Sequence, residues 1–157
     1  MRKEVCAYIA GFLDGDGCIM LQLVYRHDYV LGYQIRASIV FYQKKQYRIF
    51  LYWLQKQFDN VGYIRDRNDG MSEYTIVGIA DVGKVLHLLL PYLRLKKPQA
   101  EIALNVISQM PGSGRKMTKE KLLLLAKDVD RFVDLNYSKK RVNTSVKLKA
   151  FFASKHT

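Results

Sequence analysis

The chain has 157 residues, with 26 lysines and arginines against 14 acids, a net charge of +12 and a pI near 9.7. That length suits one compact domain, and a composition 49% hydrophobic and 12% aromatic excludes a disordered basic tail. No apolar run approaches the roughly 20 residues of a membrane-spanning helix, and the apolar N-terminal stretch is too short and too acidic at its end for a signal peptide.

In chain order, residues 4–13 fit a helix ended by glycines. The strand "CIMLQLVYR" puts Ile19, Leu21, Leu23 and Tyr25 on one side and Gln22, Val24 and Arg26 on the other. After the turn "HDYVLG", "YQIRASIVFYQ" alternates Tyr33, Ile35, Ala37, Ile39 and Phe41 with Gln34, Arg36, Ser38, Val40 and Tyr42. Residues 44–58 form an amphipathic helix carrying Phe50, Leu51, Leu54 and Phe58. Gly62 opens a strand with Tyr63, Arg65 and Arg67 on one face, "NDG" at 68–70 signals a hairpin, and "EYTIV" returns. Asp81 is the expected N-cap of a helix closed by Pro91. Pro98 fits the first turn of a helix through Met110, "PGSG" breaks it, Thr118 begins a helix to about Leu135, and a last helix spans 145–154. The expectation is one α+β domain over residues 1–157, with a core of about 4–110, C-terminal helices over about 118–154, and an antiparallel sheet covered on one face.

The charge excess points to a polyanionic partner, most often nucleic acid. Against that background "IAGFLDGDG", residues 9–17, is unusual. Ala7, Ala10, Gly11 and Asp14 lie at i, i+3, i+4 and i+7, a face with little side-chain bulk. It either packs closely on its own sheet or meets a second copy across a two-fold axis. Asp16 stands at the end of the helix, where a carboxylate is unfavourable unless a cation balances it. Gly15 and Gly17 permit a left-handed backbone and leave carbonyls free, so the end of the helix is a hard-oxygen environment for Mg²⁺ or Ca²⁺. Asp14 better fits a residue that closes the helix. Cys6 and Cys18 lack metal-ligand spacing and read as reduced thiols, and His27, His87 and His156 are too scattered for a histidine metal centre.

"IAGFLDGDG" resembles the LAGLIDADG signature of homing endonucleases. The stretches "YQKKQYRIF", "VGYIRDRNDGMSEYTI", "PYLRLKKPQA" and "DLNYSKKRVNTS" are similar to the short single-motif members encoded in organellar ribosomal-gene introns. The resemblance covers about Tyr8 to Ser145. It implies a homodimer of αββαββα cores packed through the motif helices, each four-stranded antiparallel sheet forming a saddle over the DNA major groove. It also implies hydrolysis of both strands of a long pseudo-palindromic site, leaving short 3′ overhangs and 5′ phosphates. By similarity, Asp16 ligates the metal and Gly15 offers its carbonyl. Gln43 orders the water shell, and Lys96 stands near the scissile phosphate. Mg²⁺ is the implied cofactor, with Mn²⁺ or Ca²⁺ able to occupy the same sites, and no organic cofactor is implied. Tyr47 departs from the Arg or Lys common in relatives, so that either Arg48 or Lys45 substitutes for it or turnover is reduced.

On this reading the exposed sheet face meets double-stranded DNA through Gln22, Arg26, Gln34, Arg36, Ser38, Arg65, Arg67, Glu73 and Thr75, with glutamine suited to adenine and arginine to guanine. Tyr29 reaches flanking bases from the turn. Lys97, Ser138, Lys139, Lys140 and Arg141 touch phosphates or simply solubilise the surface. Asp128, Asp130 and Asp134 are read as the wet face of their helix. The implied compartment is a chloroplast or mitochondrion, or else a bacterial cytoplasm, without secretion or a membrane partner. The rival reading is a non-cleaving RNA maturase or DNA-binding regulator on the same fold.

Overall fold

The structure, a computed structural model, describes residues 1–112, 115–136 and 142–154. Helix α1 (Lys3–Asp16) leads directly into strand β1 (Gly17–Tyr25), and a tight turn returns as β2 (Tyr33–Lys44). A 3₁₀ turn over Lys45–Tyr47 precedes α2 (Arg48–Gln57), so the expected helix over 44–58 is shorter and Lys44 belongs to the sheet. Strands β3 (Tyr63–Asp66) and β4 (Met71–Val77) form the second hairpin, followed by α3 (Ile79–Leu89) and a 3₁₀ turn over Leu90–Tyr92. Helices α4 (Lys97–Gln109), α5 (Lys119–Asp130), α6 (Phe132–Leu135) and α7 (Ser145–Ser154) complete the chain.

Three expected boundaries differ. Gly15 does not end α1: the helix runs through Asp16, and Gly17 is extended (φ −121°) rather than left-handed. Asp81 lies in the first turn of α3. The cap is Gly78, whose φ of +108° lets the chain leave β4 directly into the helix. The helix expected to reach Leu135 stops at Asp130. Its carboxylate accepts the backbone N–H of Ser145 at 3.0 Å and so fastens the start of α7.

The four strands are antiparallel in the order β1-β2-β4-β3. One face carries Ile19, Leu21, Ile39, Phe41, Tyr74 and Ile76, all fully buried among α1, α2 and α3 residues such as Ile9, Leu13, Leu51, Leu54 and Leu86. Each such side chain contributes roughly 1.5–3 kcal/mol of burial. The two edges are finished differently. Along β1, Asn136 and Asn143 donate side-chain amides to the carbonyls of Ile19 (3.3 Å) and Leu23 (3.1 Å), satisfying groups an edge strand leaves open. At the other edge Gly62 (φ +79°) brings the chain so close to β4 that a Cβ would lie 2.3 Å from the Thr75 carbonyl oxygen. No helix among the described residues is long and apolar enough to cross a membrane.

Candidate nucleic-acid interface and active site

The sheet register carries the even-numbered residues of β1 and β2 to the face away from the core. Gln22 stands directly opposite Arg36, and Val24 opposite Gln34. On the far side Tyr42 is opposite Glu73, which is opposite Arg65 in β3. One continuous face therefore gathers Gln22, Gln34, Arg36, Tyr42, Arg65 and Tyr63, with Arg26 and Arg67 continuing the alternation just past their strands. Gln22, Arg36 and Arg65 are exposed and Gln34 is partly so.

Three residues expected to touch DNA are instead buried in this face. Ser38 is 1% exposed and Thr75 4%, and neither hydroxyl has a hydrogen-bond partner among the described residues. They lie mid-sheet, flanked in register by Met20 and Val77 and by Val40 and Tyr63. Glu73 is 6% exposed, and its carboxylate is taken by two cations, Arg65 Nε at 2.5 Å and Arg67 Nη1 at 3.8 Å. Glu73 therefore organises arginines and does not present a free acceptor. Arg67 also pairs with Asp69 at 2.7 Å and lies over the Tyr42 ring, 5.8 Å from its centroid. Burial, reinforced by the nearby Cys18 and Glu73, pushes the Tyr42 phenol up. Tyr29 is exposed in the β1–β2 turn, where Arg26 and Asp28 pair. Lys97 is exposed at the start of α4, whereas Ser138, Lys139, Lys140 and Arg141 lie outside the described residues.

Asp14, Gly15 and Asp16 stand at the end of the sheet where β1 begins. The Asp14 carboxylate accepts three successive backbone N–H groups, from Arg94 (2.7 Å), Leu95 (3.2 Å) and Lys96 (2.9 Å). In return the Lys96 ammonium donates to the Asp14 carbonyl. The residue expected to close its own helix thus clamps the segment before α4 and draws Lys96 to the end of the motif helix, where a cation is favoured. Asp16 is exposed beside it. Gly15 is also exposed, with its carbonyl in the last helical turn beyond regular intrahelical partners. Asp14, Gly17, Cys18, Tyr42 and Lys96 all line a cleft of about 780 Å³ along β1. Burial raises the Cys18 thiol against the opposing pull of Lys96, which keeps it protonated at neutral pH.

Gln43 faces the helix side of the sheet, opposite Ser72, and its side-chain oxygen accepts the Lys44 N–H at 2.8 Å. Tyr47 is exposed. Lys45 and Arg48, the candidate substitutes for a cation there, are both held by Asp66, at 3.3 and 3.1 Å. A hydrogen bond from Ser72, then these cations, hold the Asp66 carboxyl below its ordinary range.

The metal expectation fits one carboxylate and one carbonyl. Among the described residues no group of three His, Cys, Asp or Glu side chains is placed to hold an ion. Asp16 and the Gly15 carbonyl supply hard oxygens of the right kind, but fewer than the roughly six such ions take. A complete shell requires oxygens from outside one chain.

The face expected for self-association is only partly exposed. Ala7 and Gly11 are exposed, and a Cβ at Gly11 or Gly15 would meet nothing within 4 Å. Ala10 is a correction: it is fully buried with Ile9 and Leu13. Asp14 is occupied by the 94–96 clamp. Beside the exposed strip, Tyr8 (58% exposed) packs edge-on against Phe50 and Trp53 of α2.

A family model described as LAGLIDADG endonuclease matches residues 9–103, which run from within α1 through the sheet, α2, α3 and the clamp into α4. The chain belongs to the LAGLIDADG endonuclease family. Within it, the chain is 41% identical over 128 residues to DNA endonuclease I-CvuI of Chlorella vulgaris, covering 82% of this chain and 79% of the relative. It is 37% identical over 153 residues to DNA endonuclease I-CreI of Chlamydomonas reinhardtii, covering 98% and 91%. The crystal structure of I-CvuI in complex with the I-CreI target in the presence of Mg superposes with a TM-score of 0.91 at 35% identity, covering 99% of this chain and 96% of that one. The family fold is therefore the α+β fold with a four-stranded antiparallel sheet expected from the sequence. An archaeal intron-encoded homing endonuclease complexed with DNA, I-Vdi141I, shares the fold with a TM-score of 0.83 at 15% identity.

Sequence reading missed Tyr42, Asp28 and the use made of Asp14 and Glu73. Tyr42 was visible from the alternation in β2. The Glu73 and Asp14 pairings depend on cross-strand register and on contacts some 80 residues apart in the chain, whereas Asp28 meets Arg26 only two residues away, through the turn.

Proposed function

We propose that this LAGLIDADG protein is a homing endonuclease that cuts both strands of a long pseudo-palindromic DNA site as a homodimer using a divalent metal. The observation that carries the reading is the continuity of the polar sheet face with the exposed Asp16 and Gly15 and the Lys96 tethered beside them. The named relatives are DNA endonucleases, and I-CvuI has been crystallised with DNA in the presence of Mg or Ca. Organelle encoding, in a chloroplast or mitochondrion, is part of the same proposal and agrees with the algal sources of these relatives.

In this reading Arg36, Arg65, Arg67, Gln22 and Gln34 meet base edges in the major groove, and Lys97 with the basic segment 138–141 meets phosphates. Asp16 and the Gly15 carbonyl would hold Mg²⁺, with Mn²⁺ or Ca²⁺ able to take the same oxygens. A bound ion would polarise the phosphate as a Lewis acid and help generate a water nucleophile. Lys96 brings a fixed positive charge to the scissile phosphate, its ammonium already directed by the Asp14 carbonyl. Gln43 orients water through its amide, because its oxygen is engaged by the backbone. Phosphate oxygens and the second subunit would have to supply the further oxygens that such an ion needs. The exposed Ala7, Gly11 and Gly15 strip and the Tyr8, Phe50 and Trp53 cluster supply the contact surface.

The test compares purified wild-type protein with Asp16→Asn on duplexes selected from a randomised library. Wild type is expected to cut both strands in Mg²⁺. Asp16→Asn should lose cleavage by about 100-fold or more while still binding the same duplex. Equal cutting by the two would remove Asp16 from the metal site, and tight binding without cutting by wild type would favour the non-cleaving alternative.

A further inference from the structure

We propose that Asp28 is a specificity-determining residue that sets Arg26 as the reader of one guanine in each half-site. The inference rests on the reading of the open sheet face as a DNA surface and goes beyond it. Arg26 Nε donates to Asp28 Oδ1 at 3.0 Å, and Arg26 Nη2 donates to Asp28 Oδ2 at 2.6 Å. This two-point contact uses the side of the guanidinium. It leaves both Nη1 hydrogens and one on Nη2, and among these three one hydrogen on each nitrogen forms the end-on pair whose spacing matches guanine O6 and N7.

The local backbone makes the fork rigid. Arg26 follows the last residue of β1 and keeps the alternation of Gln22 and Val24. Its N–H donates to the Gly32 carbonyl at 2.8 Å, and its carbonyl accepts the Tyr29 N–H at 3.1 Å. Both partners of the ion pair therefore sit in one hydrogen-bonded turn. A guanidinium held in advance loses less rotamer freedom when it meets a base. The Arg26 contact keeps the Asp28 carboxyl below its ordinary range, so the pair is ionised at neutral pH.

Neither stability nor affinity accounts for Asp28. The two side chains are 46% and 50% exposed, and pairs so exposed add little to folding. An acid on the polyanion-facing side of a chain with charge +12 also opposes phosphate attraction. Orientation of the arginine is what remains. The same device recurs elsewhere on this face, where Glu73 holds Arg65 at 2.5 Å and Asp69 holds Arg67 at 2.7 Å. Arg36 has no carboxylate partner among the described residues and is the adaptable contact by contrast.

The experiment measures equilibrium binding in Ca²⁺ to a set of duplexes in which every base pair of the selected site is replaced in turn. Wild type, Arg26→Ala, Asp28→Asn and Asp28→Glu are compared. Wild type should prefer guanine by about tenfold or more at one position per half-site, and Arg26→Ala should abolish that preference. Asp28→Asn should weaken it at least threefold, by rough estimate from the same range, at that position alone while binding to unrelated duplex rises. Asp28→Glu should restore part of it. An unchanged or stronger guanine preference in Asp28→Asn, or a loss spread evenly over all positions, would overturn the proposal. Wild-type binding without cleavage in Mg²⁺ would count against the nuclease reading alone, since the same binding map still decides the role of Asp28. A wild-type protein without base preference would overturn both.

Discussion

Asp14 and Asp16 are two residues apart on the last turn of α1, so their side chains diverge by roughly 200° around the helix axis. One turns into the molecule and receives three N–H groups from residues 94–96; the other stays exposed where the helix ends. This divergence separates a structural carboxylate from a metal-binding one in the proposed mechanism. Charge-assisted contacts of this kind are worth about 1.5–3 kcal/mol when a buried or partly buried donor would otherwise be stranded. Asp14→Ala should therefore lower unfolding stability by about 2 kcal/mol in chemical denaturation. It should also reduce cleavage, because Lys96 loses its fixed backbone, while binding in Ca²⁺ changes less. A variant as stable as wild type would show that the 94–96 segment holds itself. Of the α5 acids, Asp128 makes a partly exposed pair with Arg131 at 3.5 Å, while Asp130 fastens the start of α7.

Elements were legible in the sequence wherever a period of two or of 3.6 residues dictated them. The alternation in 19–26 and 33–43 placed each strand residue on its correct face, and Phe50, Leu51, Leu54 and Phe58 marked the α2 helix. Ends were legible only where the signal is local. Thr118 caps α5 through its own hydroxyl, accepting the Lys121 N–H at 3.2 Å. The ends misread were those fixed by distant partners, such as Gly78 at the start of α3, whose N–H reaches the Ala37 carbonyl at 3.2 Å. For the site, the motif exposed Asp16 and its neighbours, whereas Glu73 looked like a base contact because its pairing with Arg65 needs the β3–β4 register. Gly62 stands where the chain enters this register, close against Thr75. Gly62→Ala would force a Cβ against the Thr75 carbonyl from a left-handed backbone. We expect it to cost about 2–3 kcal/mol in thermal or chemical unfolding, mainly by loosening β3 from β4. A neutral effect would mean that β3 can shift without cost, and Arg65 with it.

At the scale of the molecule, one chain supplies half of what the proposed chemistry requires. It has one four-stranded sheet, the donors proposed for the metal are two oxygens, and the exposed Tyr8 lies beside the small residues of α1. In the proposed dimer, two copies related by a two-fold axis at that strip would bring two Asp16 carboxylates together, an arrangement that repels itself unless cations lie between them. The excess charge then serves a duplex spanning both saddles, so binding should weaken steeply as salt rises. The most direct measurement is the molar mass of the species that cuts a selected duplex in Mg²⁺, taken by light scattering on the same sample as the strand-resolved cleavage. A mass of twice 18.3 kDa with both strands cut is the predicted result. Cutting of both strands by a particle of 18.3 kDa would contradict it.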